Sequence, residues 1–211
     1  HVLALNELNA DLLLFLILRH DHGHFENYGV SHSLHVACVC SLLAQRLGWS
    51  RVDKQRAIGA ALTMNLSILD LQARLADQVT PLTAKQREVI HGHPIRSAEM
   101  LSAVGIADTD WLEAVRTHHE VPGGSGYPCG MTDVSELAEL LRFADVYTAQ
   151  LSRRANRSAM SPRQAGRRLH QMSASSPLTL ALIKAFGVYP PGSMVRLASG
   201  ELGVVVRSGE K

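Results

Sequence analysis

Helical spacing of apolar residues, interrupted by one glycine- and proline-dense segment, most narrows what this chain can fold into. Asp11 can cap an apolar turn over residues 12–18, and Ser31 can cap a helix over residues 31–47 that Gly48 stops. Residues 52–71, rich in Ala and Leu, read as one helix. Thr83 and Gln86 stand at capping-box spacing, and Pro94 suits the first turn of a further helix over residues 94–104. Asp108 or Asp110 starts another, carrying Trp111, Leu112 and Val115. Helices are expected again over residues 134–152, 162–172 and 178–186. Between them lies a segment with Gly123, Gly124, Gly126, Gly130, Pro122 and Pro128, a loop by composition. Near the end, residues 194–198 and 202–206 carry β-branched and apolar residues around Ser199-Gly200-Glu201, the pattern of a hairpin. The expectation is an all-α helical bundle with a small C-terminal β-hairpin, about residues 193–207.

Composition removes several function classes. With 211 residues, 46% hydrophobic and 19% charged, the chain can bury a core and is not a disordered tail. A net charge of +2 does not favour binding to a nucleic-acid polymer. The longest apolar run, Leu12 to Leu18, is too short to span a bilayer. Three Cys without a C-x-x-C pair argue against a disulfide framework and for a reducing, cytoplasmic setting. The start at His1 reads as a trimmed fragment. Residues 1–27 are expected to form an N-terminal helix and a His-rich lead-in, and residues 28–211 the main domain. Eleven His are many for this length, and they point toward function.

Spacing places some of them inward. His32, Val36, Val39 and Leu43 share one helical stripe, with His35 at its edge. Leu137, Leu141, Asp145 and Thr148 share another, which turns a carboxylate toward the core, where it needs a partner. His118 and His119 stand at a helix end where the Gly-rich loop departs, and His93 precedes Pro94. Imidazole and carboxylate suit zinc, iron or manganese. Each residue alone has an ordinary reading too: a core His satisfied by a hydrogen bond, an Asp145 paired with Arg142, a solvated His118-His119 end. His20, His22 and His24 read as a surface segment, and Cys38 and Cys40 as small packing residues.

His118-His119-Glu120 followed by Gly124-Ser125-Gly126-Tyr127-Pro128 resembles the signature of HD-GYP proteins. His32-Ser33 with Val36-Ala37, Pro81-Leu82-Thr83, His93-Pro94, Arg142 to Tyr147, and Tyr189 to Ser193 resemble further pieces of that family in the same order. The resemblance implies an HD-superfamily helical fold and a site that binds two or three metals and hydrolyses cyclic di-GMP. It implies His93, His118 and His119 as ligands of one metal, and His32 with Asp145 as ligands of its neighbour. It implies Arg154 and Arg157 as phosphate-gripping residues, although a solvated basic stretch explains them equally. It also implies contact with a diguanylate-cyclase-type partner through the loop at Gly126, Tyr127 and Pro128.

The defining HD pair is missing. Met64 stands where the family has its ligand His, Asn65 where it has the metal-bridging Asp, and Ile68 where it has a Lys. Tyr28 stands where some members carry a further ligand Glu, and Gly123 replaces the loop Asp. A neutral amide does not offset the repulsion of two cations, and a thioether is a poor ligand for hard or borderline metals. The expectation is therefore one or two divalent ions (iron, manganese or zinc) at most, or none. With it goes a regulatory or interaction module that binds cyclic di-GMP with little or no hydrolysis. The alternatives are a working phosphodiesterase with a rearranged metal site, or hydrolysis of another phosphate ester.

Overall fold

The structure is a computed structural model that describes residues 1–19, 25–172 and 176–209. His20, His22 and His24 lie outside the described residues. The helices are α1 (Val2–Leu8), α2 (Ala10–Arg19), α3 (Tyr28–Arg46), α4 (Arg51–Thr63), α5 (Leu69–Asp77), α6 (Ala84–Ala103), α7 (Thr109–Thr117), α8 (Glu136–Leu151), α9 (Pro162–Met172) and α10 (Pro177–Phe186). Strands β1 (Met194–Arg196) and β2 (Leu202–Val204) pair antiparallel, with Val195 opposite Gly203. The fold is all-α with a small C-terminal hairpin, as the helical spacing predicts.

The chain is organised around α3. Its residues Val36, Ala37, Val39, Cys40, Leu43 and Ala44 are all fully buried. Helices α1, α2, α4, α5, α8 and α10 pack against it. A helix that is apolar on most sides belongs in the middle of a bundle. Its neighbours are amphipathic and turn one stripe inward. On α8 that stripe is Leu140, Leu141, Ala144 and Tyr147, with Tyr147 meeting Phe186 of α10 edge to face. Helix α7 packs so closely on α4 that a methyl group at Gly59 would lie 2.5 Å from the Trp111 ring. Trp111 Nε1 donates to Thr63 Oγ1 at 3.0 Å.

Caps account for most boundaries. Ser50, Asp108 and Ser135 each accept a backbone N–H at an N-cap, and Thr83 with Gln86 forms a complete capping box. Four boundaries differ from the spacing. Helix α3 begins at Tyr28, a turn before Ser31. Asn9, not Asp11, caps the second helix, its Oδ1 accepting from the Leu12 N–H. The expected helix over residues 52–71 breaks at Met64 into α4, a 3-10 turn (Leu66–Ile68) and α5. Ser67 causes the break to hold: its N–H donates to Ser97 Oγ and its hydroxyl to the His93 carbonyl, pinning the turn to α6. Pro94 does not open a helix but sits inside α6.

Candidate metal centre and its cavity

Pro94 has no N–H, so the carbonyl four residues earlier, Ile90, is left without its helical donor. His93 Nδ1 donates to that carbonyl at 2.5 Å. At the end of α7, where carbonyls lack helical partners, His118 Nδ1 donates to the Val115 carbonyl at 2.7 Å. Both rings therefore carry their proton on Nδ1 and turn Nε2 inward, the tautomer set by the backbone. The two Nε2 atoms face each other at 3.1 Å. His119 joins them, and one ligand atom from each of the three lies within 4.8 Å of the others. Among the described residues this is the one group of three or more such side chains with that geometry.

Burial holds all three imidazoles neutral. It pushes His93 down to about 3, with the neighbouring His118 adding to the effect. It lowers His118, and it lowers His119 well below the ordinary histidine range, again with His118 contributing. Two bare Nε2 lone pairs 3.1 Å apart repel unless a cation lies with them. Three neutral nitrogens converging on one point are what a divalent zinc, iron or manganese ion takes. The residues fit such an ion.

Across the cavity, α3 and α8 bring His32 Nε2 to 2.6 Å from Asp145 Oδ1. Asp145 thus pairs with His32, not with Arg142. Burial raises the Asp145 carboxyl, but the hydrogen bond from His32 outweighs burial and holds it below the usual carboxylate range. The cavity between the two groups is small, about 160 Å³, and His32, His93, His119 and Asp145 all line it. Asn65 and Ile68 line it as well, while Met64 is fully enclosed in the apolar core. An amide and an alkyl group therefore stand in the wall beside the histidines.

The rest of the wall is Gln72, Leu75, Ile90 and Ala149 together with Tyr28, Arg154 and Tyr127. Tyr28 and Arg154 line one side, with Arg154 Nε and Nη2 donating to the Tyr28 hydroxyl at 3.2 and 2.9 Å. Arg157 is not in the wall: its Nη2 donates to the Ala149 carbonyl on α8. The Gly-rich loop supplies Tyr127, whose ring is stacked between His91 and His119 with centroids 4.5 Å from each. Gly126, Tyr127 and Pro128 are half-buried, and Pro122, Gly123, Ser125, Cys129, Gly130 and Met131 around them are exposed.

Three contributors escape a reading of spacing. Glu120 is fully buried and accepts the backbone N–H of Cys129 at 2.7 Å and of Met131 at 3.0 Å, holding the loop closed. His91 backs Tyr127, and Ser97 anchors the turn that carries Asn65 and Ile68. A carboxylate next to two His before a glycine-rich segment is a signal for such a loop anchor. His91 and Ser97 carry no comparable signal.

Comparison with known proteins places this geometry. Residues 17–177 match the HD domain. A cyclic di-GMP phosphodiesterase of Pseudomonas aeruginosa is 29% identical over 185 residues, 86% of this chain and 45% of that protein. The cyclic di-GMP phosphodiesterase PdeB of Borreliella burgdorferi is 26% identical over 125 residues, 58% of this chain and 33% of that protein. A 3'3'-cGAMP-specific phosphodiesterase of Vibrio cholerae is 26% identical over 135 residues, 63% of this chain and 29% of that protein. The chain spans less than half the length of these relatives. An HDG"Y"P protein from Bdellovibrio bacteriovorus shares the fold, with a TM-score of 0.60 at 20% identity, covering 74% of this chain and 51% of that one. None of the described helices is long and apolar enough to cross a membrane. The ordered histidines, the GYP loop and the matched HD domain together assign the chain to the HD-domain family, in its HD-GYP branch, as a divergent member without the HD pair and a relative of cyclic di-GMP phosphodiesterases.

Proposed function

We propose that this chain is a regulatory HD-GYP domain that binds cyclic di-GMP and hydrolyses it slowly or not at all. One observation carries the reading: the cavity wall presents Asn65 and Ile68, and Met64 faces the apolar core. His93, His118 and His119 hold one divalent ion of iron, manganese or zinc. When bound, that ion supplies a Lewis acid for a phosphate oxygen. On the opposite side His32 and Asp145 are only two donors and are already bonded to each other. Asn65 offers one neutral oxygen where a second cation needs an anion shared with the first. Ile68 cannot give a proton to a leaving alkoxide or stabilise its charge.

The wall can still bind. Arg154 offers a guanidinium fork for a phosphate, and Arg157 braces the same turn against α8. Tyr127 closes the cavity over His119. A cavity of about 160 Å³ holds a phosphate and little more, so most of a dinucleotide lies outside it. The exposed loop rim is the face left for a diguanylate-cyclase-type partner, and a cytoplasmic setting accompanies that role.

Elemental analysis, cyclic di-GMP binding and cyclic di-GMP turnover on one preparation test the reading. The expected result is no more than one ion per chain, measurable binding, and turnover orders of magnitude below that of an intact HD-GYP enzyme. Two ions per chain, with ordinary turnover abolished by His118→Ala, would establish the second reading, a working phosphodiesterase. The surviving His32–Asp145 pair and the names of the relatives favour that alternative.

A further inference from the structure

Tyr28 occupies the first turn of α3, and His32 follows one turn later on the same face. Their rings stack with centroids 5.6 Å apart and planes within 7°. Among the described residues His32 Nδ1 is buried without a hydrogen-bond partner. Its ring is therefore held by one hydrogen bond, to Asp145 at Nε2, and stacks on the Tyr28 face. Tyr28 also meets Arg154: the guanidinium carbon is 5.2 Å from the ring centroid, and two of its five N–H groups converge on the phenol oxygen. Among the described residues the other three N–H donors have no partner and remain for something else.

The backbone beneath Arg154 is fixed as well. Arg154 and Arg157 exchange backbone hydrogen bonds at 2.9 and 3.1 Å, and the Ala155 N–H donates to the Ala76 carbonyl at the end of α5 at 2.7 Å. Both ends of this arginine are thus held, the backbone by a closed turn and the guanidinium by a phenol. Long side chains lose affinity for a ligand through the freedom they give up on binding, and a tethered fork has already given it up. No acidic side chain forms an ion pair with Arg154 among the described residues, so its charge stays available.

We propose that Tyr28 is a positioning residue that fixes Arg154 as the phosphate seat of the cavity and couples that seat, through its stack on His32, to the His32–Asp145 pair. The inference rests on the cyclic dinucleotide reading above and extends it. A phenol has one oxygen where a carboxylate has two, a poorer clasp for a metal ion. It can accept from a guanidinium and leave that cation unneutralised, which a carboxylate at the same place would not. The seat thus favours holding a phosphodiester over assembling further metal around it.

The test is a double-mutant cycle by calorimetry of cyclic di-GMP on the full chain with manganese present. Tyr28→Phe keeps the ring and its stack but removes the acceptor, and affinity should fall about tenfold. Arg154→Ala should cost more. The double variant should bind no more weakly than Arg154→Ala, within about twofold, because Tyr28 acts through Arg154. Arg154→Lys, which keeps the charge and loses the fork, should bind as weakly as Arg154→Ala; it carries the test should Tyr28→Phe fail to fold. Losses that add in the double variant, wild-type affinity in Tyr28→Phe, or wild-type affinity in Arg154→Lys would overturn the inference and leave the functional reading intact. A wild-type chain that does not bind cyclic di-GMP would overturn both.

Discussion

At the scale of single residues, Pro94 shows a stability cost tied to chemistry. An interior proline disfavours a helix by up to about 3 kcal/mol, yet here the carbonyl it frees sets the tautomer of His93. Pro94→Ala restores an N–H that competes for the Ile90 carbonyl. The expected outcome is a higher Tm of the metal-free chain together with about tenfold weaker zinc or manganese binding, read by melting and by metal titration. Unchanged metal affinity would show that His93 is oriented by something else. The thiols separate just as cleanly. Burial pushes Cys38 up to about 12 and Cys40 higher still, whereas Cys129 is exposed on the loop. A thiol reagent at pH 8 should label Cys129 on the folded chain and reach the other two only on unfolding.

At the scale of elements, the loop between α7 and α8 is a built part of the cavity rather than a free connection. A methyl at Gly126 would fall 2.4 Å from the Glu120 Cα, and Glu120 takes two N–H groups from the far side of the loop. Glu120→Ala leaves both donors without their acceptor and should cost about 1–3 kcal/mol in a denaturant melt. It should also open the loop to proteases, while Glu120→Gln, which keeps one acceptor oxygen, should be milder. Equal protease resistance in the Ala variant would contradict this role. The elements were largely legible from residue order, because helical spacing and caps are local: the Thr83–Gln86 box and the Ser135 cap need no distant partner. The inward stripes of His32 and Asp145 were legible for the same reason. What spacing missed depends on contacts across sequence. Pro94 reads as a helix start until α6 packs around it, and residues 52–71 read as one helix until Ser67 bonds to α6. Whether Arg154 is solvated or part of a wall turns on Tyr28, 126 residues away.

At the scale of the whole molecule, the enclosed imidazoles make the metal-free fold sensitive to acid. In the unfolded chain His93, His118 and His119 take up protons as pH falls through about 6.5, whereas in the folded chain burial keeps them neutral, His93 down to about 3. The unfolded state therefore binds more protons in this window, and stability falls as pH falls. Each group contributes a slope of up to about 1.4 kcal/mol per pH unit. Asp145 acts in the same direction lower down: its carboxyl is held below the ordinary value of 3.8, so its stabilisation is present above that pH and is lost as pH falls through its lowered folded value. Against a typical total of about 5–15 kcal/mol, three such imidazoles should unfold the metal-free chain within a few pH units below neutrality. Melting curves from pH 8 to 4 with a chelator present should show a level Tm above about pH 7 and a steep decline below 6.5. His119→Ala should make that decline shallower by about a third, since one of three proton acceptors is gone. Adding zinc should raise the Tm at pH 7.5 and steepen the acid limb, because the ion competes with protons for the same Nε2 atoms. A Tm that does not move between pH 7.5 and 5 would mean that the three rings are not held neutral by the fold, and the case for a preformed metal centre would fall with it.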